Sequence, residues 1–156
     1  MIRIGIPSRE PVFAEHLVLD YNGTLALDGQ LLEGVSELLG RLSQHLSVHV
    51  ITADTFGTVE KTFTNTNISV KIIDGKDQGT QKADFVANLK PQSVVAIGNG
   101  ANDAQMLKLA AIGIATMQAE GASVKALINA EITCTSIVDA LNLLLNPKRI
   151  AATLRL

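Results

Sequence analysis

The stretch "LVLDYNGTLALDG" (17–29) closes an apolar run with Asp20 and follows it almost at once with Gly23 and Thr24. A carboxylate at a strand tip, beside backbone that has no Cβ in the way, suits nucleophilic attack on a phosphorus atom. Four further residues fit the same chemistry. Thr52 ends the run "SVHVIT", Asn99 follows "SVVAIG", Asp103 comes one turn later, and Lys82 lies near the start of "QKADFVANL". A carboxylate attacks phosphate only when both negative charges are offset. Mg²⁺ between Asp20 and Asp103 would offset part of that charge. The Thr52 hydroxyl, the Lys82 ammonium and backbone N–H groups around Gly23 and Thr24 would hold the equatorial oxygens. The chemistry is phosphoryl transfer through an aspartyl-phosphate.

Each residue also has a plainer explanation. Asn22-Gly23 is ordinary turn chemistry, and Thr52 is a good N-cap or β-branched strand residue. Lysines such as Lys82 are mostly solvated, and Asp103 would favour the positive end of its helix. What distinguishes them is where the elements put them. Strand-like and helix-like patterns alternate along the chain: strands at 16–20, 47–52, 69–74, 93–98, 111–116 and 130–134, and helices at 31–46, 55–65, 81–89, 102–110, near 120–129 and 135–145. "MIRIGI" reads as an edge strand or hairpin arm, and "LALDGQL" (25–31) as a small hairpin flap. The alternation predicts a three-layer α/β/α sandwich with a central parallel sheet, one domain over 1–156. Ligands of such sheets bind at the carboxyl ends of the strands, which is where the candidate residues fall.

Composition narrows the function classes. The chain has 47% hydrophobic residues, a net charge of −2 and 3% aromatics without Trp, which gives no case for nucleic-acid or membrane partners. No stretch reaches the roughly 18 apolar residues of a membrane span, and the charged, proline-containing start does not read as a signal peptide. A cytoplasmic setting is the expectation. The single cysteine, Cys134, reads as a small buried hydrophobe. His16, His45 and His49 show no metal-ligand spacing, and the tail "NPKRIAATLRL" reads as a helix packing or oligomer contact.

The residues above resemble, in order, the motifs of the haloacid dehalogenase superfamily of phosphotransferases. "LVLDYNGTLA" is similar to its first motif, "VHVITADT" to the second, Lys82 in "GTQKADFVANL" to the third, and "VVAIGNGANDAQML" to the fourth. Within it the chain resembles the phosphorylation domain of P-type ATPases and their soluble phosphatase-like relatives. The resemblance implies Asp20 as nucleophile, with Asn22, Thr52 and Lys82 in the catalytic set. Phosphate would be bound by Gly23, Thr24, Thr52, Ala53 and Lys82. Mg²⁺ would be bound by Asp20, the Asn22 carbonyl, Asn99 and Asp103, with Asp54, Gly100 and Asn102 in support. Between the first and third motifs there is no length for a nucleotide-binding or cap domain, so ion pumping is not expected. Capless relatives close their sites with an oligomer or a large partner, which makes a homo-oligomer an expectation here. The substrate would be a small phosphorylated molecule or a protein.

Two residues depart from the family pattern. Asn22 stands where the phosphatases carry an Asp that protonates the leaving group and activates water, and an amide does neither. Loss of such help costs on the order of 10²–10⁴ in rate. Asn99 replaces a carboxylate that would ligate or support Mg²⁺. The expectation is a slow phosphatase that prefers good leaving groups. Both asparagines precede glycine, so deamidation would regenerate acidic motifs. The main alternative is a non-catalytic, phosphate-ligand-binding module on a degenerate scaffold. A response-regulator receiver fits less well, because its phosphoacceptor follows the third strand. "GNGAND" lacks the third glycine of a dinucleotide fingerprint and comes late in the chain.

Overall fold

The computed structural model describes residues 1–54 and 57–156. The chain opens with an antiparallel hairpin of β1 (Ile2–Ile4) and β2 (Val12–Ala14), then enters β3 (His16–Asp20). Leu17, Val18 and Leu19 are all fully buried, the pattern of a strand covered on both faces. A second small hairpin, β4 (Ala26–Leu27) and β5 (Gln30–Leu31), turns through Asp28 and Gly29, both at positive φ, and forms the expected flap. Next come α1 (Val35–Leu42), β6 (Ser47–Thr52), α2 (Thr58–Thr62) and β7 (Ile68–Ile72). They are followed by α3 (Gln78–Asn88), β8 (Val94–Gly98), α4 (Ala104–Leu109) and β9 (Ile112–Thr116). The chain ends with α5 (Val124–Asn129), β10 (Ile132–Cys134), α6 (Ile137–Leu145) and α7 (Pro147–Leu154).

Six strands pair in parallel in the order β10-β9-β8-β3-β6-β7, so β3 lies between β8 and β6 at the centre. Period-two alternation sends Leu17 and Leu19 to one face and Val18 to the other. The first face packs on α1, α6 and α7 through Leu38, Leu39, Leu141, Leu144 and Ile150. The second packs on α3, α4 and α5 through Val86, Met106, Leu107 and Ala126. This is the expected α/β/α sandwich. Among the described residues no cap domain covers the carboxyl ends of the strands, and no helix is long and apolar enough to cross a membrane.

Several boundaries differ from the sequence reading for local reasons. The helix expected at 31–46 is confined to Val35–Leu42, because Leu31 pairs in the flap and Gly34, at φ 79°, turns the chain into the helix. The helix expected at 55–65 is seen at Thr58–Thr62; Thr55 and Phe56 lie outside the described residues. Helix α3 starts three residues early, after Asp77 in a left-handed conformation. Ser123 and Ser136 cap α5 and α6, each accepting from a backbone N–H. The apolar residues of the tail form α7, whose Ile150 and Leu154 are buried against the first hairpin and α6. That face is occupied within the chain.

Candidate active site

The carboxyl ends of β3, β6 and β8 and the starts of α3 and α4 surround a cleft of about 560 Å³, lined by Asp20, Asn22, Thr52, Ala53, Asp54, Lys82, Asn99, Gly100 and Asn102 among others. At its floor Lys82 Nζ lies 2.6 Å from Asp20 Oδ1 and 2.6 Å from Asp103 Oδ1. Lys82 is 1% exposed, Asp103 0% and Asp20 8%, so two carboxyl groups and one ammonium share a nearly dry site. Residues 62 and 21 apart in sequence meet here because helix α3 packs against α4 and its preceding turn, while β3 and β8 are neighbours.

Both oxygens of Asp103 accept hydrogen bonds. Its Oδ2 accepts from the Asn99 and Gly100 N–H groups at 3.0 and 2.8 Å, and its Oδ1 accepts from Lys82. Three N–H donors thus reach the two oxygens of Asp103, and the Lys82 ammonium stands between it and Asp20. Gly98 leaves the space for this carboxylate, since a Cβ there would lie 2.5 Å from Asp103 Cγ.

The loop after β3 is held from three sides. The buried Thr24 hydroxyl reaches both Asp20 Oδ2 (3.3 Å) and Asn99 Oδ1 (3.2 Å). Asn99 Nδ2 donates to the Gly121 carbonyl at 3.1 Å. Gln118 Nε2 donates to the carbonyls of Gly23 (3.2 Å) and Thr24 (2.9 Å), while its Oε1 accepts from Ile137 N–H. Gly23 sits at φ 78°, where an L side chain is strained. Elsewhere around the cleft, Thr52 is 3% exposed and its Oγ1 accepts from Asp54 N–H. Asp54 Oδ2 accepts from the Thr58 hydroxyl and Val59 N–H, tying the wall to α2. Asn102 Nδ2 donates to Gln78 Oε1, linking the turn before α4 to the start of α3. Asn22 is exposed at the cleft rim.

Burial pushes Asp20 up to about 7; the charge of Asp103 pushes the same way, and Lys82 and Thr24 pull against both. Burial disfavours the charge on Lys82, but the two carboxylates outweigh it and hold the ammonium above its ordinary range. Such a carboxylate is ready for a cation, which would compensate the charge that burial penalises. The donors at hand are oxygen: the Asp20 carboxylate, backbone carbonyls of the loop and the Asn99 side-chain oxygen, a hard set that fits Mg²⁺. Among the described residues no three His, Cys, Asp or Glu side chains converge as a metal cluster. The fit rests on a mixed set with amide and carbonyl oxygens.

Sequence reasoning overlooked Gln118 and Glu120, both in the loop after β9. Glu120 lines the cleft, and Gln118 clamps the phosphate-sized loop. The strand-end rule applied to the earlier strands would have pointed to this loop as well.

A family model described as haloacid dehalogenase-like hydrolase matches residues 35–140, beginning after the Asp20 loop. An uncharacterized protein of Methanocaldococcus jannaschii is 45% identical over 64 residues, 41% of this chain and 69% of that protein. Among solved structures, 3-deoxy-D-manno-octulosonate 8-phosphate phosphatase of Moraxella catarrhalis, in complex with a magnesium ion, a phosphate ion and KDO, superposes with a TM-score of 0.66 at 18% identity. The match covers 89% of this chain and 90% of that one. The cobalt-bound deoxy-D-mannose-octulosonate 8-phosphate phosphatase from Haemophilus influenzae gives 0.66 at 14% identity, covering 90% of this chain and 92% of that one.

Proposed function

The chain belongs to the haloacid dehalogenase-like hydrolases, and from that premise we propose that it is a phosphohydrolase passing a phosphoryl group from a small phosphorylated molecule to water by way of Asp20. The observation that carries this reading is the buried ammonium of Lys82, 2.6 Å from Asp20 at the carboxyl end of the central strand, on an open cleft that Thr52 also lines. The magnesium, phosphate and sugar bound by the Moraxella enzyme support a small phosphorylated substrate and a divalent cation.

In this mechanism an Asp20 oxygen forms a bond to phosphorus as the bond to the leaving oxygen breaks. The Lys82 ammonium and Thr52 hydroxyl steady the phosphoryl oxygens. The Asn22 amide has no proton to give, so the leaving oxygen takes one from solvent. In the second step water adds to phosphorus, the Asp20–phosphorus bond breaks and the carboxylate returns. A bound Mg²⁺, held by Asp20, the Asn22 carbonyl and Asn99, would offset charge on the phosphate. Asp103 serves to hold Lys82 and the loop in place. With Asn22 unable to activate water, the phosphoenzyme is the longer-lived species, as in the P-type ATPases whose phosphorylation domain the chain resembles.

Intact-protein mass spectrometry after incubation with Mg²⁺ and acetyl phosphate or p-nitrophenyl phosphate tests the reading. A phosphoryl adduct on the parent protein, absent from Asp20→Asn, is expected. If neither adduct nor Asp20-dependent turnover forms with either donor, the binding-module alternative takes its place.

A further inference from the structure

Glu120 lies in the loop between β9 and α5, outside every motif that defines the site. A Cβ built on Gly23 would stand 2.7 Å from Glu120 Oε2, 2.4 Å from Asn99 Nδ2 and 2.9 Å from Asn99 Oδ1. Carboxylate and amide therefore press on the same point of the loop backbone, one residue after the Asn22 carbonyl. The next residue, Thr24, joins Asn99 Oδ1 to Asp20 Oδ2 through its hydroxyl. Glu120 also lines the cleft together with Asp20, Asn22 and Asn99. Among the described residues its carboxylate has no hydrogen-bond or ion-pair partner.

The charge balance gives this position a use. A divalent cation beside Asp20, the Asn22 carbonyl and Asn99 would meet a single carboxylate, already shared with the Lys82 ammonium 2.6 Å away. Mg²⁺ in phosphate-handling sites is bound through one or two carboxylates, with waters completing its shell. We propose that Glu120 is the second carboxylate of this cation site, supplying from the β9–α5 loop, directly or across one coordinated water, the negative charge that Asn99 does not carry. The absence of a side chain at Gly23 is what lets it approach. Asn99 helps by holding the loop through Gly121, the residue next to Glu120. The inference rests on the proposed use of a cation at Asp20, and its test needs no turnover.

Calorimetric titration with Mg²⁺, and electron paramagnetic resonance of free Mn²⁺ as a second readout, would be run on the parent protein, Asp20→Asn, Glu120→Gln and Glu37→Gln. Glu37 is an exposed glutamate on α1 and serves as the charge control. Saturable binding should be lost in Asp20→Asn and unchanged in Glu37→Gln. In Glu120→Gln it should weaken by about 10- to 100-fold, the range seen when a supporting group of a metal site is removed. Parent-like affinity in Glu120→Gln, with Asp20→Asn still defective, would overturn the role of Glu120 and leave the Asp20 reading standing. No saturable binding by the parent, or binding indifferent to Asp20, would overturn both the cation site and the inference. The Asp20 adduct assay would then decide the phosphotransfer reading separately.

Discussion

The Asn99 side chain donates a hydrogen bond to the Gly121 carbonyl at 3.1 Å, through an N–H that an aspartate at the same position would not have. Asn99 is 8% exposed, so Asn99→Asp sets a buried carboxylate against a carbonyl oxygen and leaves that carbonyl without its donor. In the presence of a chelator the substitution should destabilise the protein by about 1–3 kcal/mol, the cost of an unsatisfied buried polar group. Urea denaturation reads the difference. An unchanged midpoint would mean that the amide is incidental, and that Asn99 is simply a lost carboxylate.

The two Asn-Gly pairs should also resist deamidation in the folded protein. Ring closure requires the glycine nitrogen to attack the asparagine side chain. Gly23 N–H is held by the Ala26 carbonyl at 2.8 Å, and Gly100 N–H by Asp103 Oδ2 at 2.8 Å. Mass spectrometry of aged samples should find conversion at 22 and 99 much slower in native than in denatured protein. Equal rates would show that these bonds give no protection.

Asn22→Asp places a carboxylic acid at the exposed cleft rim, within the same wall as Asp20. Restored general acid-base help should raise hydrolysis of alkyl phosphates by roughly 10²–10⁴ and shorten the life of any phosphoryl adduct. Steady-state rates for the parent and Asn22→Asp, together with adduct decay after quenching the donor, measure the two effects. A rate within a few-fold of the parent would show that another group already activates water.

Lys82→Met leaves Asp20 and Asp103 facing each other in a buried site without their shared cation. Removing one partner of a buried ionic cluster typically costs about 3–5 kcal/mol. The sign of its pH dependence follows. With Lys82 gone, Asp20 loses the pull that lowers its pKa while burial and the charge of Asp103 still raise it, so the variant loses stability as pH rises and regains it as pH falls. Thermal midpoints of the variant should be higher under mildly acidic than under alkaline conditions; a flat profile would argue that the two carboxylates do not interact.

His49, half-buried in β6, faces His16 (His49 Nε2 to His16 Nδ1, 3.2 Å) and packs edge-on against Phe85. Burial, and then the charge of His16, hold its pKa below the ordinary 6.5. The folded state therefore prefers neutral His49, and its contribution is complete above pH 6.5 and lost as pH falls through that value toward the folded pKa. The thermal midpoint should decline between about pH 7 and pH 5, and His49→Gln should flatten that decline. An unchanged slope in the variant would assign the acid sensitivity elsewhere.

Much of this molecule is legible in its sequence, and the legible parts share a cause. The runs 16–20 and 47–52 are mostly apolar and stop at a polar residue, so β3 and β6 appear with the expected bounds. Asp20, Thr52, Asn99 and Asp103 were found because the ends of parallel strands face one cleft. The rest depends on contacts that have no local signature. Leu31 has the spacing of a helix residue but pairs in the flap, because Asp28 and Gly29 make a tighter turn available. The clamp by Gln118 and the approach of Glu120 require β9 to lie beside β8, and strand order follows from tertiary packing. The hydrogen bonds to Asp103 come from three N–H groups, one of them on α3, which no local pattern signals.

The central place of β3 has a consequence during synthesis. Its first neighbour, β6, is complete at residue 52, but its other neighbour, β8, is complete only at residue 98. At roughly 5–20 residues per second, a ribosome leaves that edge of "HLVLD" without a partner for several seconds. An apolar strand with an open edge is a template for pairing with other chains. Chains stalled before β8 should therefore be the aggregation-prone products of this gene, and the nascent chain is where a chaperone would find its work.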